Sequence, residues 1–281
     1  MRSTPARAGL VLAVCVAALA ACGGERPAAP AWTAVAAEPV NPVPAGYHGR
    51  FRVAATVLGS PAHGPQLCQA VAESYPPQCA GPDLPGWSWA GLAHQSASGT
   101  RWGHYLLIGT FDGKRFTLTE PAKIADPAAT PPATPHLTSP CHEPSGGWRP
   151  VDPGKAGQGA LETAIALAST SADFAGAWID AKNSVLNVRY TSDPATHEAE
   201  LRRVWGGALC LLPARRTEAD LRAVQEELIR EPGVHSSGID VAANRVDVGV
   251  WVADVTRQAG LDNRYGPGVV RLVGSLEPLD R

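Results

Sequence analysis

Aromatic and histidine side chains that could bind a ligand are concentrated between residues 47 and 120. Trp87, Trp89, Trp102 and His104 are the members that we assign to a candidate binding face for a sugar, a peptide or a lipid. Aromatic rings also bury the largest area per residue, so the same side chains could form the core of a small β domain instead. The sequence favours the core interpretation.

Motifs for metal, nucleotide or nucleophilic chemistry are missing from the sequence. His63, His94 and His104 have no H-x-H or H-E-x-x-H spacing, which indicates surface or loop histidines. Residues 154–159 (GKAGQG) lack the order of a phosphate-binding loop, and no G-x-S-x-G elbow occurs. The sequence therefore predicts no catalytic residue, no metal and no cofactor.

The first 22 residues have the layout of an exported precursor. Arg2 and Arg7 form a basic start, and the apolar run over residues 8–18 is shorter than the ~20 residues that span a bilayer. The next four residues, Leu19-Ala20-Ala21-Cys22, resemble the lipobox of bacterial lipoproteins. That resemblance implies cleavage before Cys22 and transfer of a diacylglycerol to its thiol. An ordinary signal peptide with a chance cysteine and an uncleaved helical anchor are the alternatives.

Charge balance argues against one class of partner. Residues 1–21 hold two of the 24 Lys and Arg and none of the 26 Asp and Glu, so the remaining chain has a formal charge of −4. Nucleic acid requires a basic surface and is not a predicted partner. The lipid on Cys22 is therefore the predicted attachment to the outer face of the cytoplasmic membrane. In this plan the chain is similar to secreted lipoproteins of GC-rich Gram-positive bacteria, a resemblance that carries no activity with it.

Of the six cysteines, Cys15 would leave with the signal peptide and Cys22 would carry the lipid. Four remain, namely Cys68, Cys79, Cys141 and Cys210. An even number in an exported chain predicts two disulfides, for which three connectivities exist. Cys68–Cys79 is favoured because the pair is local, and Cys141–Cys210 follows by elimination. Zinc binding by four free thiols is the alternative, but no C-x-x-C spacing supports it.

Composition divides the chain into five segments. They are a signal peptide (1–21), a Pro/Ala tether (22–46), a β-rich domain (47–120), a Pro/Ala/Thr linker (121–140) and a mixed domain (141–281). About five short strands fit the β-rich domain, including residues 51–58, 86–90 and 115–119, with a hairpin turn at Asp112-Gly113. Such strands are typical of a small closed or partly open barrel of the OB type.

Residues 141–281 repeat themselves at an offset of 60, with copies over about 155–213 and 215–274. Ile179-Asp180 aligns with Ile239-Asp240. Each copy is predicted as helix, strand, turn, strand, helix, strand. Adding the strand at 209–212 before the second copy yields β-α-β-β-α-β, the split order of ferredoxin-like domains. The predicted fold class is therefore α+β, with a small β-barrel-like domain followed by a duplicated ferredoxin-like domain.

The repeat also places Asp180 and Asp240 at equivalent strand ends. A catalytic carboxylate pair is one interpretation of these residues. Turn residues that precede Asn183 and Asn244 are the simpler one, because Asp and Asn side chains bond locally to the backbone in turns.

A non-catalytic binding or scaffolding role for a lipid-anchored extracytoplasmic protein is the function that these features favour. One alternative is an exported hydrolase whose site is built from residues distant in sequence. A pocket that holds an ionisable pair with perturbed pKa values would support it. A protease-propeptide or inhibitor-like module is the other alternative, and it rests on fold analogy.

Overall fold

The computed structural model describes residues 36–125 and 137–280. The predicted lipobox with Cys22 and most of the predicted linker lie outside the described residues. The described chain belongs to one compact unit. No helix in these two ranges is long and apolar enough to cross a membrane.

The described fold belongs to the mixed α+β class, as predicted. Its helices are α1 (Gln158–Ser169), α2 (Glu198–Leu201), α3 (Glu218–Leu228) and α4 (Val255–Tyr265), with 3-10 turns at Pro153–Lys155 and Pro194–His197. Its strands are β1 (Pro42–Val43), β2 (Phe51–Ser60), β3 (His63–Cys68), β4 (Gln95–Ala97), β5 (Thr100–Phe111), β6 (Phe116–Leu118), β7 (Lys123–Ile124), β8 (Phe174–Asp180), β9 (Val185–Tyr190), β10 (Ala208–Pro213), β11 (Val234–Asp240), β12 (Arg245–Val250), β13 (Ala253–Asp254), β14 (Val270–Gly274) and β15 (Glu277–Pro278).

The β-rich domain is built on the antiparallel pair β2 and β5, which runs from Phe51↔Gly109 to Gly59↔Arg101. The other edge of β5 pairs in turn with the short strands β4, β7 and β6. A barrel closes through a continuous staggered ladder, which such short strands do not provide. The closed form of the predicted barrel is therefore wrong for the described residues, where the sheet is open and seven-stranded.

Residues 86–90, predicted as a strand, are instead irregular and lie between turns at 85–86 and 90–91. Gly86 has a φ of +73°, which favours glycine, and Leu92 N donates to Trp89 O at 3.2 Å. The alternation of aromatic residues in this segment comes from two tryptophans that pack inward without a sheet ladder.

The two copies of the C-terminal repeat fold with the same element order. Copy one (155–213) forms the sheet β10-β9-β8 and copy two (215–274) the sheet β11-β12-β14. In both, the first two strands are antiparallel and the last is parallel to the middle one. Both first strands also change register after their first residue, at Phe174/Gly176 and Val234/Ser236. Each copy is thus an α-β-β-α-β unit.

The strand at 209–212 does not begin the second copy. It lies in β10, which pairs with β9 through Leu209↔Leu186 and so completes the sheet of copy one. The outer edge of β14 is filled from the other end of the chain, because Val40 N donates to Leu272 O at 2.9 Å. The four-stranded ferredoxin-like sheet predicted from the element order is therefore not assembled in this way.

The segment after residue 137 covers the face of the copy-one sheet that points away from its helices. Trp178 Nε1 donates to Thr138 O at 3.3 Å, and Ser139 N donates to the Asp180 carboxylate at 3.0 Å. Cys141 and Cys210 fasten this segment to β10 as a pair at disulfide distance, with Cα atoms 5.9 Å apart. Cys68 and Cys79 form the other such pair in the described chain, with Cα atoms 5.8 Å apart.

Candidate functional site

Two of the four residues predicted for the binding face lie side by side on β5. Trp102 and His104 are two positions apart, so they point to the same face of the sheet, opposite the buried Tyr105. Strand register adds neighbours from both sides, because Thr56 is opposite His104 and Gln95 is opposite Trp102. The pairing of three strands therefore builds one polar and aromatic surface.

This surface is the floor of a cleft of about 470 Å³, which we call the Trp102 cleft. It lies beside β5, between the strands β4 and β7. Its lining residues are Thr56, Ala93, His94, Gln95, Trp102, Gly103, His104, Ile124 and Ala125. Tyr75, 81% exposed, stands perpendicular to the Trp102 ring with the ring centroids 6.0 Å apart.

Trp87 and Trp89, the other two predicted residues, support the cleft from behind. Both rings pack against the core of the β domain, and Trp87 contacts Tyr105 with the ring centroids 5.1 Å apart. Trp89 reaches His94 at the same centroid distance, 5.1 Å, so it connects the core to the cleft wall. Trp87 and Trp89 thus pack on the core of the β domain, whereas Trp102 and His104 line the cleft.

The cleft is suited to an uncharged ligand that has an apolar face. No Asp, Glu, Lys or Arg is among the described residues that line it. Trp102 and Ile124 supply apolar surface, and the side chains of Gln95, His94, His104 and Thr56 supply hydrogen-bonding groups. A mostly apolar wall with a few polar groups is the usual composition of a small-molecule site.

The sequence did not indicate six of the lining residues, namely Thr56, Ala93, Gln95, Gly103, Ile124 and Ala125. None of them belongs to a motif, and Ile124 and Ala125 fall in the segment that the sequence predicted as a linker. The pairing register of β2, β4 and β7 on β5 is the signal that brings them together, and that register is a property of the folded sheet.

A second depression separates α1 and α3. Two adjoining hollows of about 550 and 450 Å³ share Ser169, Phe174, Glu218 and Arg222. Arg222 and Glu218 form an ion pair one helical turn apart, so the two charged groups that both hollows share already have partners. The Trp102 cleft is the stronger candidate, because its polar groups face the opening together with aromatic rings.

An Asp–His–Ser cluster in copy one bears on the hydrolase alternative. His197 Nε2 lies 3.0 Å from the Asp173 carboxylate and 3.4 Å from Ser192 Oγ. In a nucleophilic triad the aspartate and the serine contact opposite ring nitrogens of the histidine. Here both contact Nε2, so the histidine does not relay a proton from the serine to the aspartate.

The cluster instead fastens the 3-10 turn at 194–197 to the start of β8. The His197 ring stacks on Tyr190, with the centroids 3.8 Å apart. Burial opposes ionisation of Asp173, but hydrogen bonds from Ser171, Ser192 and His197 outweigh it and hold the pKa of this carboxyl well below its usual range. An ionised aspartate with three donors is a stable structural group.

Asp180 and Asp240 are the last residues of β8 and β11, and their carboxylates bond to the turns that follow. Asp180 accepts hydrogen bonds from Lys182 N at 3.1 Å and Asn183 N at 3.2 Å, and Asp240 accepts one from Ala243 N at 3.0 Å. These hydrogen bonds hold each carboxylate in its own hairpin. Within residues 36–125 and 137–280, no group of three His, Cys, Asp or Glu residues could hold a metal ion.

In comparisons with known proteins, neither a protein-family model nor a curated protein matches the chain.

Proposed function

We propose that this protein is a lipid-anchored extracytoplasmic binding protein that takes an uncharged ligand with an apolar face, such as a saccharide ring, in the Trp102 cleft. The observation that carries the proposal is the cleft itself, where one indole and four hydrogen-bonding side chains converge without a charged residue. An aromatic ring packs on the C–H face of a sugar, while amide, imidazole and hydroxyl groups pair with its hydroxyls.

The lipid anchor rests on Leu19-Ala20-Ala21-Cys22, and one substitution tests it. Cys22→Ala removes the thiol that would carry the diacyl group, whose chains contribute ~0.8 kcal/mol per buried methylene. We expect the variant to move from the membrane fraction to the soluble exported fraction. Cys15→Ala is the matched control, because it removes a thiol from the segment that is cleaved away. A Cys22→Ala protein that stays in the membrane fraction would contradict the lipid-anchor proposal.

Ligand binding by the cleft is tested by calorimetric titration with chitotriose and maltotriose. The unaltered protein should bind one of these sugars saturably at millimolar concentration or below. Trp102→Ala removes the aromatic platform and should weaken that binding at least ~10-fold, which corresponds to ~1.4 kcal/mol. Trp102→Phe retains an aromatic face and should retain most of the affinity.

Ile108→Ala is the control for this experiment. Ile108 lies on the same strand and the same face as Trp102 but outside the cleft, so its truncation should leave the affinity unchanged. Absence of saturable heat with both sugars, or equal loss in Ile108→Ala and Trp102→Ala, would count against the saccharide site.

We also infer that the two C-terminal copies arose by duplication of one unit related to the ferredoxin-like order. The shared α-β-β-α-β order and the register change at the same place support the duplication. Each unit corresponds to the split β-α-β-β-α-β order without its first strand.

A further inference from the structure

A narrow groove runs along the outer edge of β10 in copy one. It has a volume of about 400 Å³ and lies between this edge and the start of the 3-10 turn at 194–197. Its lining residues are Asp193, Pro194, Ala195, Glu198, Leu209, Leu211 and Pro213. Asp193 caps the turn, and Leu209 and Leu211 are only partly buried.

The repeat identifies the counterpart of this groove in copy two. Strand register makes Val270, Leu272 and Gly274 equivalent to Leu209, Leu211 and Pro213, because each set pairs with the same three positions of its middle strand. Asp254, the N-cap of α4, takes the place of Asp193. In the last strand the two copies therefore match at an offset of 61.

In copy two the chain itself runs along the corresponding strand edge. Val40 lies parallel to β14, donating its N–H to Leu272 O at 2.9 Å and accepting from Gly274 N at 3.0 Å. Pro42 and Val43 then pair with β13, and the Val43 side chain packs in the core of the β domain. The Val-Asn-Pro-Val segment, which bends at Asn41 with a φ of +53°, thus contacts this edge through its backbone, while the Val40 side chain stays 37% exposed.

The groove of copy one has no such strand among the described residues. β10 is an edge strand, and β9 is its only strand partner there. Leu211 corresponds to Leu272, so its carbonyl faces outward at the position where Val40 N–H binds in copy two. An edge strand with free backbone groups and a neighbouring apolar groove is a template for strand addition.

One difference between the copies sets the strength of such binding. Gly274 donates to Val40, whereas Pro213 at the same position has no N–H. A Cβ at Gly274 would lie 3.1 Å from Val40 O, so the ring of Pro213 keeps an incoming strand farther out. The copy-one groove therefore offers one hydrogen bond fewer and a looser fit. Both differences suit a partner segment that binds reversibly.

We propose that the groove along β10 binds an uncharged Val/Pro-rich segment of a partner protein, whose first valine lies parallel to β10 opposite Leu212 and donates its N–H to Leu211 O. The chain's own matching segment, residues 40–43, already pairs with copy two and is therefore not free to pair with β10. Asp193 and Glu198 on the rim disfavour an acidic peptide. This proposal is independent of the Trp102 cleft.

The test uses a fluorescein-labelled peptide, Pro-Val-Asn-Pro-Val-Pro, which has the sequence of residues 39–44. Its fluorescence anisotropy is followed during titration with the purified protein, and we expect saturable binding. Ala195→Trp fills the groove from an exposed position and should weaken binding about 10-fold or more. Pro213→Gly restores the missing donor and should tighten binding about 3- to 10-fold, the range for one hydrogen bond.

The matched control is Ala199→Trp, which places the same side chain on an exposed position of α2 outside the groove. It should bind the peptide as the unaltered protein does. A control peptide with Val40→Asp should not bind. Circular dichroism of each variant verifies that the fold is retained, and the gain expected from Pro213→Gly does not depend on a loss of structure.

Several outcomes would overturn the proposal. They are no saturable binding, or equal binding to the Ala195→Trp and Ala199→Trp proteins. Dimerisation that Ala195→Trp abolishes would assign the groove to a second copy of the chain. Peptide binding that requires deletion of residues 23–35 would assign it to the chain's own tether. Binding that is enhanced by Val40→Asp in the protein would place the peptide in copy two.

Discussion

Removing residues 276–281 is expected to unfold the β-rich domain, although these residues lie at the opposite end of the chain. Leu276 is fully buried and belongs to the core that contains Phe51 and Tyr105. The following strand, β15, pairs with β2, and Leu279 N donates to Arg50 O at 2.9 Å. Loss of a buried leucine alone costs ~2–5 kcal/mol, a large share of the ~5–15 kcal/mol that stabilises a domain.

Urea unfolding followed by circular dichroism measures this effect, with the single substitution Leu276→Ala beside the truncation. Both should lower the unfolding midpoint, the truncation more strongly because it also removes the β15 ladder. Removing residues 280–281 is the control, since it removes the exposed Asp280 with its contacts to Arg50 and Tyr47 but leaves Leu276 and the β15 ladder in place. Equal stability of the two truncated proteins would contradict the prediction.

The Cys141–Cys210 pair should contribute more stability than the Cys68–Cys79 pair. Their sequence separations are 69 and 11 residues. In the chain-entropy treatment, loops of these lengths correspond to about 4 and about 3 kcal/mol. Cys141→Ser with Cys210→Ser should therefore lower the free energy of unfolding more than Cys68→Ser with Cys79→Ser.

Packing increases this difference. The Cys141–Cys210 pair holds the segment after residue 137 over Trp178 and Asn187, which are 5% and 0% exposed. Without the bridge, water can reach this sheet face. The free energies of unfolding of the two double variants and the unaltered protein, measured in urea under non-reducing conditions, decide the question. A larger loss of unfolding free energy in the variant without the Cys68–Cys79 pair would show that neither loop length nor shielding of the sheet face dominates.

Local chemistry was readable from the sequence because its partners are a few residues apart. Thr217 and Asp220 form the capping box at the start of α3, and Asp193 caps the turn that Pro194 begins. Asp112-Gly113 forms the turn between β5 and β6, with Gly113 at a φ of +96°. The repeat was readable for the same reason, since each copy forms the same local elements.

Pairing between distant strands was not readable from the sequence. Val40 and β1, in the predicted tether, complete the edge of copy two, and β15 completes the sheet of the β domain. Any exposed edge offers the same backbone donors and acceptors, so the sequence does not state which segment will fill it. The choice depends on which side chains can be buried at the same time, as Val43 and Leu276 are.

The candidate sites show the same difference between local features and pairing of distant strands. The sequence by itself predicted a lipobox at Cys22 and four cysteines in an exported chain, and it contained the repeat and the aromatic residues of the candidate binding face. Only the tertiary structure decided that Trp102 and His104 line a cleft while Trp87 and Trp89 support it. The reason is register: a face of β5 becomes a site only when Thr56 and Gln95 are placed beside it by strands that are far away in the chain.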